Sequence, residues 1–187
     1  MKLWIIYKRR CLNGWKKIIV VYKSKSGFTK KYAQWIADDL HCDLVCLENC
    51  NIVGIERYDV VIFGGGLHAG KIKGIKFIQK NIPLLAGKEI IVFATGATAP
   101  IPEEIERFKK DNIPQDLDIA FFYFRSGLNY ARMSVTDKLL MGVLRTVLKA
   151  KKHKTDTEQG TLDAIQSSYD YSNHNQTGPL INYIKGI

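Results

Sequence analysis

Ser24-Lys25-Ser26-Gly27-Phe28-Thr29 is the stretch whose residue types and spacing most clearly suit chemistry with an anion. It follows the apolar run Lys17–Tyr22 and leads into Lys30–Leu40, whose apolar residues recur at helical spacing. A loop feeding a helix presents free N–H groups and the positive end of the helix dipole, which together attract a phosphate. Gly27 lets the backbone approach closely, and Ser24, Ser26 and Thr29 add hydroxyl donors. The same residues can serve as a plain helix cap without a ligand. The pattern GxxxxGK[ST] is missing, so this is not the phosphate loop of the common nucleotide triphosphatases.

Two further stretches carry small, backbone-exposing residues: Gly64–Gly70 (GGGLHAG) and Thr95–Pro100 (TGATAP). Gly64-Gly65-Gly66-Leu67-His68-Ala69 formally matches the dinucleotide pattern G-x-G-x-x-A. It follows the third apolar run rather than the first, and no ribose-binding acid ends the next one, which argues against NAD(P). His68 is either a proton donor or an ordinary loop histidine.

The elements that must position these loops are legible as runs. Lys17–Tyr22, Asp43–Leu47, Tyr58–Phe63, Glu89–Ala94 and Asp118–Phe124 read as strands, the third ending at Gly64. Helices are expected at Lys30–Leu40, Ile75–Leu85 with a break near Pro83, Pro102–Lys110, Thr136–Ala150 and Pro179–Ile184; Thr155–Tyr171 is polar and has no clear period. Continuous apolar strands alternating with helices imply a parallel sheet covered on both faces. In such sheets ligands bind beyond the carboxyl ends of the strands, where the three loops fall.

The pattern [ST]-x-[ST]-G-x-[ST] directly after the first strand resembles the flavodoxin phosphate loop. The resemblance implies a doubly wound, three-layer α/β fold with a five-stranded parallel sheet in the order 2-1-3-4-5, and FMN as cofactor. It implies that Ser24, Lys25, Ser26, Gly27, Phe28 and Thr29 hold the phosphate. The flavin would lie between Gly65, Gly66, Leu67, His68, Ala69 and Gly70 on one side and Thr95, Gly96, Ala97 and Thr98 on the other. Members of the family often stack an aromatic residue on the ring; neither loop has one here, and Tyr130 is the candidate to supply it. Ser126-Gly127-Leu128, Tyr130, Asp137-Lys138 and Leu140-Met141 resemble the branch that includes menaquinone-dependent protoporphyrinogen oxidases, which carry a comparable basic insertion late in the fold.

The chain of 187 residues fits one domain over 16–187, with an insertion at about 125–171 and an extension over 1–15. No run approaches the ~20 apolar residues of a membrane span, so a cytoplasmic location is expected. Cys42, Cys46 and Cys50 are four apart, but on a strand such spacing does not converge, and free thiols rather than a metal site are expected. The net charge of +10 is concentrated: Met1–Lys17 holds six Lys/Arg and no acid, and Tyr130–Lys154 seven against Asp137 alone. On the helix at 136–150, Leu140, Val143, Leu144, Val147 and Leu148 share one face, and Lys138, Arg145, Lys149, with Lys152 beyond, lie on another. Such a helix suits either packing on the domain or docking on an anionic membrane surface through 136–152.

The expected function is FMN-dependent electron transfer with a redox partner protein or a quinone. An FMN-dependent oxidoreductase of the protoporphyrinogen or quinone type, acting at the membrane surface, is the alternative. A binding module that has lost the flavin is a second alternative. No specific nucleic-acid partner is expected.

Overall fold

The computed structural model describes residues 16–187. The 1–15 extension and Cys11 lie outside the described residues. Five strands, β1 (Ile18–Lys23), β2 (Asp43–Cys46), β3 (Val60–His68), β5 (Glu89–Gly96) and β6 (Ala120–Arg125), form a parallel sheet in the order β2-β1-β3-β5-β6. This is the flavodoxin-like order expected from the sequence. A short strand, β4 (Lys71–Ile72), folds back antiparallel on the end of β3.

The strands are apolar throughout because helices bury both faces. Helices α1 (Phe28–Leu40) and α6 (Gly178–Lys185) cover one face, packing Tyr32, Ile36 and Leu180 against Val20, Ile62 and Phe93. On the other, α2 (Lys76–Asn81) and the turn after it set Ile78 and Leu85 against Val21, Val61, Phe63 and Val92. Helix α3 (Pro102–Asn112) opens on Pro102 with Glu103 and Glu104 in its first turn and carries Lys109 and Lys110 in its last, charges that complement the helix dipole.

Strand β3 does not stop at Gly64. It runs on to His68, with Gly64, Gly65 and Gly66 paired to Phe93, Ala94 and Thr95 of β5. The glycines are there for space: a Cβ on Gly64 would lie 2.0 Å from the Phe93 ring.

After β6 the chain leaves the sheet and builds a small subassembly before returning as α6. It consists of β7 (Gly127–Leu128), α4 (Val135–Ala150), α5 (Asp156–Ala164) and β8 (Tyr169–Asp170), with β7 and β8 paired antiparallel. The polar stretch without a period thus contains a helix. Its signal is a capping box, in which the Thr155 hydroxyl accepts from the Glu158 N–H (3.2 Å) and the Glu158 carboxylate from the Thr155 N–H (2.9 Å). Leu148, Leu162 and Ile165 form a separate core, joined by Leu128, Met141 and Leu144. The apolar face expected on α4 is therefore split. Leu144 and Leu148 turn inward, while Leu140, Val143 and Val147 are exposed.

Candidate functional site

The carboxyl ends of β1, β3, β5 and β6 open onto one cleft of about 840 Å³, counting the solvent at its mouth. Its floor comes from the loop after β1. Gly27, at φ 99°, caps α1, and its own N–H donates to the Ser24 hydroxyl (3.2 Å). No side chain caps the helix and its first turn holds no acid. Helix geometry leaves the N–H groups of Phe28, Thr29 and Lys30 without intrahelical partners. The Thr29 hydroxyl is buried against the Thr95 hydroxyl at 2.8 Å, which joins the start of α1 to the end of β5. Gly66 lies over this pair: a Cβ there would come 3.4 Å from Thr29 Oγ1 and fill the floor.

Basic side chains surround the floor. Lys23, Lys25, Lys73 and Arg132 line the cleft; Asp137 is the one carboxylate among the lining residues, and Lys23 is ion-paired with Glu48 beside it. Arg132 reaches back from the insertion so far that a Cβ on Gly27 would lie 2.4 Å from its Nη1. Burial holds the Lys73 ammonium below its usual pKa, and the charges of Lys25 and Lys23 lower it further while Asp137 opposes them. Asp137 is clasped from two loops. Lys25 Nζ donates to its Oδ2, and His68 Nε2 lies 3.4 Å from its Oδ1. Hydrogen bonds from Lys25 and Ser134 hold the carboxyl down at about 2. Lys25 also donates to the Ser134 hydroxyl (2.9 Å), which caps α4, so the start of that helix is tied over the loop after β1.

The roof is apolar. Leu67 from β3 and Leu128, Met133, Leu140 and Met141 from the insertion face the same space. Among the described residues no aromatic side chain lines it.

Of the residues expected from the sequence, Lys25, Ser26, Thr29, Gly66, Leu67, His68, Thr95, Gly96 and Ala97 line this cleft. The others lie around it. Ser24 braces Gly27, and Phe28 is buried in the domain. Gly65 lies beneath the β3–β4 hairpin, where a Cβ would meet the Lys73 carbonyl at 2.5 Å. Ala69 (φ 49°) and Gly70 (φ 76°) make the hairpin turn. The Thr98 carbonyl accepts from the Tyr123 hydroxyl at 2.8 Å. Tyr130 turns toward α5, its hydroxyl donating to the Ile165 carbonyl, and does not line the cleft. Cys42, Cys46 and Cys50 form no disulfide with one another, and no cluster of metal-ligating side chains occurs among the described residues.

The lining residues not singled out as a site from the sequence include Lys23, Lys73, Ser126, Gly127, Arg132, Met133 and Asp137. Arg132 and Asp137 fall in the basic stretch 130–154, and Ser126, Gly127 and Asp137 among the residues of the late-insertion resemblance; these were their signals in the sequence. Asn112 was also missed. Buried at the end of α3, it accepts from the Ile72 N–H (2.8 Å) and donates to the Gly70 carbonyl (2.8 Å), fixing the hairpin that carries Lys73.

The cleft thus sets a helix start and basic side chains beside an apolar lining. The sequence model for the flavodoxin domain matches residues 19–158. The chain belongs to that family. Over 82 residues this flavodoxin domain is 35% identical to an uncharacterised protein of Methanocaldococcus jannaschii, a match over 42% of the chain and 53% of that protein. The chain thus spans about half the length of the curated relative it matches. Solved structures similar to it include oxidised flavodoxin 2 from Bacillus cereus, 22% identical with a TM-score of 0.40, covering 57% of this chain and 84% of that one. Another is a flavoprotein from Lactobacillus acidophilus in complex with FMN, 15% identical with a TM-score of 0.42, covering 59% and 93%.

Proposed function

We propose that this flavodoxin domain binds FMN non-covalently in the cleft and serves electron transfer. The observation that carries the reading is the loop after β1. It combines a helix start without a side-chain cap, the hydroxyls of Ser24, Ser26 and Thr29, and Lys25, with Lys73 and Arg132 brought beside it, next to an apolar lining.

The residues present fit the group. The hydroxyls of Ser26 and Thr29 and the N–H groups of Phe28, Thr29 and Lys30 would receive the phosphate, with Lys25 and Arg132 balancing its charge. The absent Cβ at Gly66 leaves room above Thr29 and Thr95. Leu67, Met133 and Met141 would pack on the ring faces, polarisable thioethers taking the place of a stacked aromatic. When bound, FMN supplies one- and two-electron redox chemistry. The chain's own contribution is to orient the ring, to exclude water through the α4 roof, and to hold cations where negative charge would grow on reduction.

The test is a spectroscopic titration of the purified protein with FMN, FAD and NADPH, followed by anaerobic reduction. FMN should bind in preference to the other two. Ser26→Ala with Thr29→Ala should weaken it by about 1–3 kcal/mol, as lost hydrogen bonds to a charged group do. Unchanged affinity in the double variant removes the phosphate site from the loop.

The roof favours a second reading, an FMN-dependent oxidoreductase of the quinone or protoporphyrinogen type. Leu128 and Leu140 of the insertion add apolar lining to the mouth of the same cleft, which would suit an apolar substrate beside the flavin. Turnover of a soluble quinone by the FMN-loaded protein supports it, and electron exchange with proteins alone supports the carrier.

A further inference from the structure

Helix α4 is apolar on two sides. Its inner side is satisfied by α5, through Leu144 and Leu148. Its outer side is not. Val135, Leu139, Val143 and Val147 recur every four residues, forming one stripe along the whole helix. They are 83%, 69%, 54% and 60% exposed, and Leu140 beside them is 50% exposed. Among the described residues nothing packs on this stripe. Scattered exposed aliphatics are ordinary, but a continuous row of them along a helix marks a contact surface.

The charge beside the stripe identifies the contact. At 100° per residue, Lys138, Arg145 and Lys149 fall on one flank, between the stripe and the inner face, and Lys152 extends the row. None of the four makes an ion pair with a described residue. The helix and its ends carry seven Lys/Arg against Asp137, and that carboxylate is engaged by Lys25. A second copy of the chain laid stripe to stripe would bring two such basic rows together, which is repulsive. A surface that is apolar below and anionic at its rim matches both features at once.

We propose that α4 docks the domain on an anionic lipid bilayer, the aliphatic stripe entering the interface and the basic row meeting the headgroups. Leu140 belongs both to the exposed side of α4 and to the cleft lining, so the docked helix places the mouth of the cleft beside the lipid. The inference does not depend on which cofactor the cleft holds.

The test is co-sedimentation of the full chain with unilamellar vesicles, either pure phosphatidylcholine or phosphatidylcholine mixed with phosphatidylglycerol. The chain should bind the mixed vesicles at low salt, lose them at molar salt, and bind pure phosphatidylcholine at least about tenfold more weakly. Leu139→Glu with Val143→Glu should abolish binding and leave the melting temperature and FMN titration unchanged, because neither residue is buried or lines the cleft. Lys138→Gln, Arg145→Gln and Lys149→Gln together should weaken binding at least about tenfold and flatten its salt dependence. Absence of binding to mixed vesicles at low salt overturns the proposal. So does binding that survives the Leu139/Val143 change, which would assign it to another basic segment such as Met1–Lys17. A dimer in solution that the same change dissociates, without vesicle binding, assigns the stripe to a second copy and overturns it as well.

Discussion

Gly65→Ala tests how the wall of the cleft is built. Gly65 sits inside β3, paired to Lys23 of β1 and Ala94 of β5, so its backbone has no freedom to retreat. A Cβ there would lie 2.5 Å from Ile72 Cγ2 and 2.5 Å from the Lys73 carbonyl oxygen. Ile72 is 2% exposed and fixed through the Asn112 side chain, and Lys73 is held by its N–H to the Gly66 carbonyl at 3.0 Å. The hairpin must therefore lift. Forcing one extra carbon into a packed site costs about 1–3 kcal/mol. Loss of the Lys73 backbone hydrogen bond adds about 1 kcal/mol. The sum of about 2–4 kcal/mol corresponds to a fall in melting temperature of roughly 5–12 °C for a chain of this size. Equilibrium urea denaturation followed by circular dichroism measures it. Gly54→Ala is the control, since a Cβ there meets nothing within 4 Å, and it should stay within about 0.5 kcal/mol of the parent. A Gly65→Ala protein as stable as that control would refute the argument that the hairpin is locked against β3.

Asn112→Ala leaves the Ile72 N–H and the Gly70 carbonyl without their partner and should cost about 2–4 kcal/mol in the same denaturation assay. Thr29→Val or Thr95→Val alone strands the other buried hydroxyl and should cost about 1–3 kcal/mol, whereas the double change should cost less than the two single costs added, as a double-mutant cycle will show. The Asp137 carboxyl is depressed from 3.8 to about 2 in the folded protein, so its clasp on Lys25 is complete above about pH 4 and is lost as the pH falls through about 2. Hydrogen exchange of the first turn of α4 should accelerate over that interval, and Asp137→Asn should remove the acid-dependent step. Gly142→Ala places a methyl in open space within α4 and should raise the melting temperature, for a gain of about 0.5–1 kcal/mol.

The sheet was readable because its strands are doubly buried. A run such as Ile18–Tyr22 has no polar face to confuse the period, and the helix over Phe28–Leu40 shows its buried side at Tyr32, Ala33, Ile36 and Ala37. The end of β3 was not readable. Glycine ordinarily punctuates a strand, and only the distant Phe93 ring and Lys73 carbonyl explain why Gly64 and Gly65 continue one here. Helix α4 was readable as a helix but not in its orientation. Leucines and valines cover most of its circumference, and the choice between inner and outer faces is made by Leu162 on α5 and Ile165 at its end. That helix is polar enough that its capping box is its clearest local mark.

The cleft divides the same way. The loop after β1 is local, and hydroxyls around a glycine at a helix start announce it. Its charge balance is not local, because Arg132 and Asp137 arrive from an insertion more than a hundred residues downstream. Their arrangement explains why the insertion belongs to the site rather than beside it. Lys23, Lys25, Lys73 and Arg132 converge on one space, and the lowered pKa of Lys73 records the neighbouring cations as well as its burial. Glu48 pairs with Lys23, and Asp137 is engaged by Lys25 and lies beside His68. Lys25, which lines the cleft, is at the same time the residue that ties Ser134 and Asp137 of the insertion over the loop after β1.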